Sequence, residues 1–284
     1  MEETAVFLFS CPDRKGIVAR VSNFIYRNGG NILHSDEHRD HQLGIFFMRV
    51  EWSLAGFRIP KSRLPGEISK LAKELGASYR LYFSSQRPRV AIFVSKLLHC
   101  LYDILVRYRS GELNAEIPLI VSNYRDAEPV AEHFGLKFYH FPVTKENRLE
   151  QEERELELLR RENIELVVLA RYDRILSPKF VEAYRNRIIS VHHSFLPAFV
   201  GKDAYEQAFR RGVKIIGATA HFVTEELDAG PIIEQDIVRV SHRDSLEDFK
   251  RKGEDAEKVV LSRALKWYTE RKLLVYDNKT VVFD

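Results

Sequence analysis

The chain has 284 residues, enough for two domains, with 45% hydrophobic and 30% charged residues, the balance of a globular protein. Forty-four Lys and Arg against forty-one Asp and Glu leave a net charge of +3, too small and too evenly spread to predict a nucleic-acid partner. No stretch nears the roughly 20 apolar residues of a membrane span, and Met1-Glu2-Glu3-Thr4 opens acidic, unlike the basic start of a signal peptide, so the expected location is the cytoplasm, away from any membrane.

Residues 4–9 alternate as a strand, and Pro12-Asp13-Arg14-Lys15-Gly16 then turns into a helix carrying Ile17, Val18, Val21, Phe24 and Ile25 at helical spacing. Asn28-Gly29-Gly30-Asn31 stops it. A strand over 32–39, a turn near Asp40-His41-Gln42, a strand over 43–51, a helix over 64–75 and a strand over 78–83 complete a βαββαβ, ferredoxin-like order. Ser84-Ser85-Gln86-Arg87-Pro88 is short, polar and ends in proline, which suits a linker. The expected division is a domain over 1–84, a linker over 85–88 and a second domain over 89–284.

In the second domain, strands over 90–95, 117–122, 137–140 and 166–170 alternate with helical segments, notably 145–163. That alternation predicts a doubly wound, mostly parallel, Rossmann-like α/β sheet. Two further apolar runs follow. Ile188-Ile189-Ser190-Val191 ends in His192-His193-Ser194 before Pro197, and Ile215 to Val223 leads into the acidic segment from Glu225 to Pro231. Open α/β sheets bind ligands where their strands end, so both loops are expected to open onto one crevice. Residues 246–271 read as one amphipathic helix interrupted at Gly253, with Val259, Val260, Leu261, Ala264, Leu265 and Trp267 available to pack, and 275–282 read as a closing hairpin.

His192, at a strand end, is the first candidate for chemistry, because an imidazole exchanges protons near neutral pH. Asp228 is the carboxylate placed to orient it, as in acyl transfer. Adjacent strand residues point to opposite faces, so His192 and His193 do not share an ion, and no metal centre is expected. Cys11 and Cys100 are too few and too far apart for a disulfide framework or a clustered metal motif.

The runs His192-His193-Ser194-Phe195-Leu196-Pro197-Ala198-Phe199 and Leu227-Asp228-Ala229-Gly230-Pro231 resemble the folate-dependent formyl-group enzymes, and among them the formyltetrahydrofolate deformylases. The likeness spans essentially the whole chain. It implies hydrolysis of 10-formyltetrahydrofolate, bound as substrate with no permanently held cofactor, to formate and tetrahydrofolate, which supplies formate for purine synthesis and balances the one-carbon folate pool. In that family the first strand ends Asn-x-His, and the Asn, His and Asp surround the formyl group. The positions here are Ser190, His192 and Asp228, so a shorter hydroxyl stands where the family has an amide. The resemblance also assigns Arg174, Ile175, Leu176, Thr224, Glu225 and Leu227 to the pterin pocket. Asp173 stands there in place of an apolar Met. His193 replaces the proline of related formyltransferases and takes a supporting role, and His221 contacts Asp228 or caps its strand.

Ser10 to Val18 and Asn28 to Ile32 resemble an ACT regulatory domain, which implies a homo-oligomer and an amino-acid effector near Asp13, Gly30 and Asn31. A purine-pathway formyltransferase needs a glycine-rich phosphate loop, whereas this chain has Ser95-Lys96-Leu97-Leu98-His99-Cys100-Leu101, a form similar to that of deformylases. A transfer-RNA formyltransferase needs an added basic domain, and only a helix and a hairpin are expected beyond Ile237. Water is the acceptor these absences leave, with no nucleic-acid partner. The alternatives are a weakly active or inactive folate and amino-acid sensor, motivated by Ser190 and Asp173, and a transferase to a small amine.

Overall fold

The computed structural model describes residues 2–198 and 203–284, so Phe199, the last residue of the first motif, lies outside them. Two compact units are defined, one of residues 1–87, 271–276 and 281–284, the other of residues 88–270 and 277–280. Residues 271–276 and 281–284 around the closing hairpin fall with the first unit and residues 277–280 with the second, whereas the sequence reading gave all of them to the 89–284 domain.

The first unit runs β1 (Thr4–Pro12), α1 (Ile17–Arg27), β2 (Ile32–Asp40), β3 (Ile45–Ser53), α2 (Leu64–Leu75) and β4 (Ser78–Phe83). Its four strands form an antiparallel sheet in the order β2-β3-β1-β4, the ferredoxin-like fold. Strand alternation sends Phe7, Phe9 and Cys11 to one core with Ile17, Val21, Ile25, Ile68 and Leu75. Leu8 and Phe47, pointing the other way, pack with Val281 and Phe283. Both faces of β1 are thus covered, so the strand is apolar and buried almost throughout instead of alternating as the sequence reading had it.

The second unit continues with β5 (Arg89–Val94), α3 (His99–Ser110), β6 (Glu116–Ser122), α4 (Glu128–Phe134), β7 (Lys137–His140), α5 (Arg148–Arg161), β8 (Leu166–Ala170), α6 (Pro178–Ala183) and β9 (Ile188–His192). Then come α7 (Ala204–Arg211), β10 (Ile215–Phe222), β11 (Ile232–Arg239) and α8 (Leu246–Thr269), after which β12 (Leu273–Tyr276) and β13 (Lys279–Val282) pair as the closing hairpin, most of it in the first unit. Seven strands form one sheet in the order β11-β10-β9-β8-β5-β6-β7. Pairing is parallel from β7 to β9 and antiparallel for β9 with β10 and β10 with β11. The chain starts at β5, builds outward through β6 and β7, and returns to the other side of β5 with β8. That reversal leaves a crevice at the C-terminal ends of β5 and β8, where such sheets take ligands.

Two features differ from the sequence reading. Strand β11 is not announced by its sequence, because this edge strand carries Glu234, Gln235 and Asp236 in its middle, three half-buried polar residues in a row that break any alternation. Helix α8 runs unbroken through Gly253, capped at Ser245 by a capping box with Asp248. Gly253 serves packing, since a Cβ there would lie 2.1 Å from the Tyr205 ring. Glycine to alanine in a helix interior ordinarily gains about 0.5–1 kcal/mol. Gly253→Ala should instead cost about 1–3 kcal/mol through overpacking and lower the melting temperature by calorimetry. An unchanged or raised melting temperature would contradict this role for the glycine.

Candidate active site

Strand β9 carries Ser190 and His192 two residues apart, so their side chains share one face of the sheet. The neighbouring β10 runs antiparallel, with His221 opposite Ser190 and Thr219 opposite His192. The hydroxyl of Thr219 accepts from Leu196 N at 3.0 Å and donates to the Ser194 carbonyl at 2.9 Å, which ties down the turn after His193. Because β10 is antiparallel, the loop after it must fold back to reach the end of β9. Gly230 permits this, for a Cβ there would lie 1.8 Å from the Phe222 carbonyl oxygen. Asp228 itself adopts the left-handed conformation at φ 56°, which Asp tolerates better than most residues. Asn278 Nδ2 donates to the carbonyl of Ala229 at 2.9 Å and holds the fold-back from outside.

The result is a close pair. His192 Nδ1 lies 3.2 Å from Asp228 Oδ2, with the two side chains 6% and 13% exposed. His221 Nε2 lies 3.7 Å from Asp228 Oδ1, while its Nδ1 is 2.9 Å from the Phe222 carbonyl oxygen. His221 thus lies beside Asp228 without a hydrogen bond to it, while its other ring nitrogen meets the last carbonyl of β10. Burial pushes the His221 imidazole below its ordinary pKa, against the opposing pull of the Phe222 carbonyl and of Asp228. Burial would raise the Asp228 carboxyl, but the hydrogen bond with His192 and the nearby imidazoles outweigh it and hold the group below the usual carboxylate range.

These groups open into a cleft of about 550 Å³. Ser190, His192, His193, His221, Thr224, Glu225, Leu227 and Asp228 all line it, as do Arg174, Ile175 and Leu176 from the loop after β8. Every residue assigned by resemblance to catalysis or pterin binding is therefore brought to one cavity. Asp173 also lines it, but its carboxylate is engaged. Oδ1 accepts from Asn123 Nδ2 at 2.9 Å and lies 2.8 Å from Ser95 Oγ, and Arg174 Nε is 3.4 Å away. Asp173 thus ties together the loops after β5, β6 and β8, which accounts for a charge in this position. Sequence reasoning missed Arg171, Tyr172 and Lys96 as lining residues; their only signal is that they follow directly on apolar strands.

In the first unit Asp13 pairs with Arg39 at 2.6 Å, and Asn31 offers its carbonyl to Ser53 N at 3.0 Å. Gly30 is required by packing, since a Cβ would approach Ile25 Cγ2 to 2.6 Å and the Phe57 ring to 2.9 Å. Cys11 and Cys100 are both buried, and no helix among the described residues is long and apolar enough to cross a membrane.

A family model described as formyl transferase matches residues 88–265, and one described as ACT domain matches residues 5–51. Fold and site together define a formyl transferase catalytic domain preceded by an ACT domain. The chain is 55% identical over 99% of its length to a formyltetrahydrofolate deformylase of Synechocystis sp., of which it covers 98%. It is 46% identical over its whole length to that of Bacillus subtilis, of which it covers 95%. The crystal structure of a formyltetrahydrofolate deformylase from Pseudomonas syringae pv. tomato superposes with a TM-score of 0.97 at 44% identity, covering 100% of this chain and 95% of that one. Glycinamide ribonucleotide transformylase 1 from Symbiobacterium toebii matches with a TM-score of 0.68 at 31% identity over 72% of this chain and 98% of that one. The chain belongs to the formyltetrahydrofolate deformylase family, hydrolases acting on a formyl C–N bond.

The lowered Asp228 pKa has a sign that stability measurements read. A carboxyl depressed in the folded state contributes stability above its unfolded pKa, and that contribution is lost as pH falls through the folded value. Asn also tolerates the left-handed backbone, so Asp228→Asn removes charge without new strain. By chemical denaturation the variant should be less stable than the parent at pH 7, with the gap closing as the pH is lowered through the carboxylate range. A gap that stays constant down to pH 3 would contradict the charged pairing with His192.

Proposed function

We infer that this cleft hydrolyses 10-formyltetrahydrofolate to formate and tetrahydrofolate, with His192 and Asp228 carrying the proton chemistry. The observation that supports the reading is the 3.2 Å contact between His192 Nδ1 and Asp228 Oδ2 at the wall of a pterin-sized cleft. Asp228 fixes the tautomer in which Nδ1 holds the proton, leaving His192 Nε2 as the base. Nε2 takes a proton from water as its oxygen attacks the formyl carbon, and Asp228 stabilises the imidazolium that forms. The tetrahedral intermediate collapses with cleavage of the C–N bond, and the imidazolium returns the proton to the departing nitrogen, releasing formate. Ser190, on the same face of β9, is assigned the donor to the formyl oxygen. Thr224 to Leu227 and Arg174 to Leu176 hold the pterin, and His193 supports His192 through a ring contact at 4.8 Å between centroids. Relatives named as deformylases favour hydrolysis over a folate sensor or a transferase to a small amine.

The ACT match supports the further reading that an amino-acid effector binds near Asp13, Gly30 and Asn31 of a homo-oligomer. Incubation of purified protein with 10-formyltetrahydrofolate, with and without amino acids, should release formate at a rate that one or more amino acids alter, and light scattering should give a mass above that of one chain. Binding without turnover would favour the sensor. Ser190→Asn supplies the longer donor and should raise turnover, by no more than the roughly 10²–10³ that one oxyanion donor is worth. An unchanged or reduced rate would remove Ser190 from the oxyanion role.

A further inference from the structure

Next to the dyad lies a buried ionic array that hydrolysis as described leaves unused. Glu257 of α8 is fully buried. Its Oε2 lies 2.8 Å from His99 Nε2 and 3.4 Å from Arg171 Nε, and its Oε1 accepts the Tyr205 hydroxyl at 2.6 Å. His99, Cys100 and Glu257 lie close enough to hold a cation, but both carboxylate oxygens already have partners. A buried ionic cluster costs several kcal/mol of desolvation per ion, and apolar residues of equal volume are often as stable or more so. Its charge therefore calls for a use in the cleft.

One member lines that cleft, and a second touches a residue that does. Arg171 lines it directly and stands at φ 62° as the first residue after β8, a left-handed conformation uncommon for a bulky side chain. Tyr205 packs on the ring of His193 at 5.4 Å between centroids, and His193 in turn lies 4.8 Å from the ring of His192. Gly253, which leaves room for Tyr205, belongs to the same arrangement. An unbroken path of contacts thus joins the His192 ring, through His193, Tyr205 and Glu257, to Arg171 in the cleft wall.

A polarised formyl carbon and a histidine base serve an amine nucleophile as readily as water, so a hydrolase of this design must exclude amines by shape or charge. We propose that Arg171, held by Glu257 and backed by Tyr205 and His99, closes the acceptor side of the cleft and restricts the formyl acceptor to water. The guanidinium occupies the volume an amine needs and repels ammonium groups, while a water molecule passes. This inference rests on the hydrolase reading.

The test is a partition experiment. The protein is incubated with ¹³C-formyl-labelled 10-formyltetrahydrofolate and glycinamide, and formylated amine and formate are counted by NMR. The double variant Arg171→Ala with Glu257→Gln opens the wall without leaving a buried carboxylate beside a missing cation. Arg171→Gln is made alongside, because His99 and Tyr205 still bind Glu257 in it and the fold is retained. In either variant the ratio of formylated glycinamide to formate should rise about tenfold or more over the parent, the scale on which pocket size and charge discriminate small substrates. An unchanged ratio in folded variants that still release formate overturns the assignment of Arg171. Absence of formate release by the parent protein instead overturns the hydrolase reading.

Discussion

The contact between His192 and Asp228 joins residues on two different chain segments, and three local features of the second unit permit it. Strand β10 is antiparallel to β9, so its following loop leaves toward the far end of β9 and must double back. Gly230 allows the loop to lie flat on β10, Asp228 accepts a left-handed backbone, and Asn278 pins the neighbouring carbonyl. Each costs or risks a little stability, as functional sites commonly do. The carboxylate so placed is held ionised by the imidazoles around it.

The sheet supplies the rest by topology. Starting at β5 and reversing direction there, the chain brings the loops after β5 and β8 to one edge, and Asp173 fastens them through Ser95 and Asn123. The loops after β5 and β8 and the His192–Asp228 pair therefore face one cavity without any single segment holding both. The buried charge at Glu257 extends the same logic behind the site, holding Arg171 in the cleft wall.

Legibility in the sequence followed the range of the interactions. The α2 and β4 boundaries, and those of β7 and β8, follow from periodicity and turn residues, because those are local signals. His192 and Asp228 were legible since a polar residue ending an apolar strand and an Asp before Ala-Gly-Pro are also local, and the family likeness paired them. Strand β11 was not, because an edge strand carrying Glu234 and Asp236 lacks clean alternation. Gly253 looked like a break in α8, and only the Tyr205 ring above it gives its purpose. Arg171 and Glu257 are far apart in sequence, and nothing in either neighbourhood announces a buried ion pair.

The shared dependence on one carboxylate makes the rate of formate release by Asp228→Asn, in a single turnover with saturating 10-formyltetrahydrofolate, the most direct measurement. Asn preserves the backbone and nearly the shape of Asp228 but cannot stabilise an imidazolium at His192, so the rate should fall by at least about 10² with folate binding retained. A variant that binds folate and releases formate at the parent rate would contradict the central role of the His192–Asp228 pair.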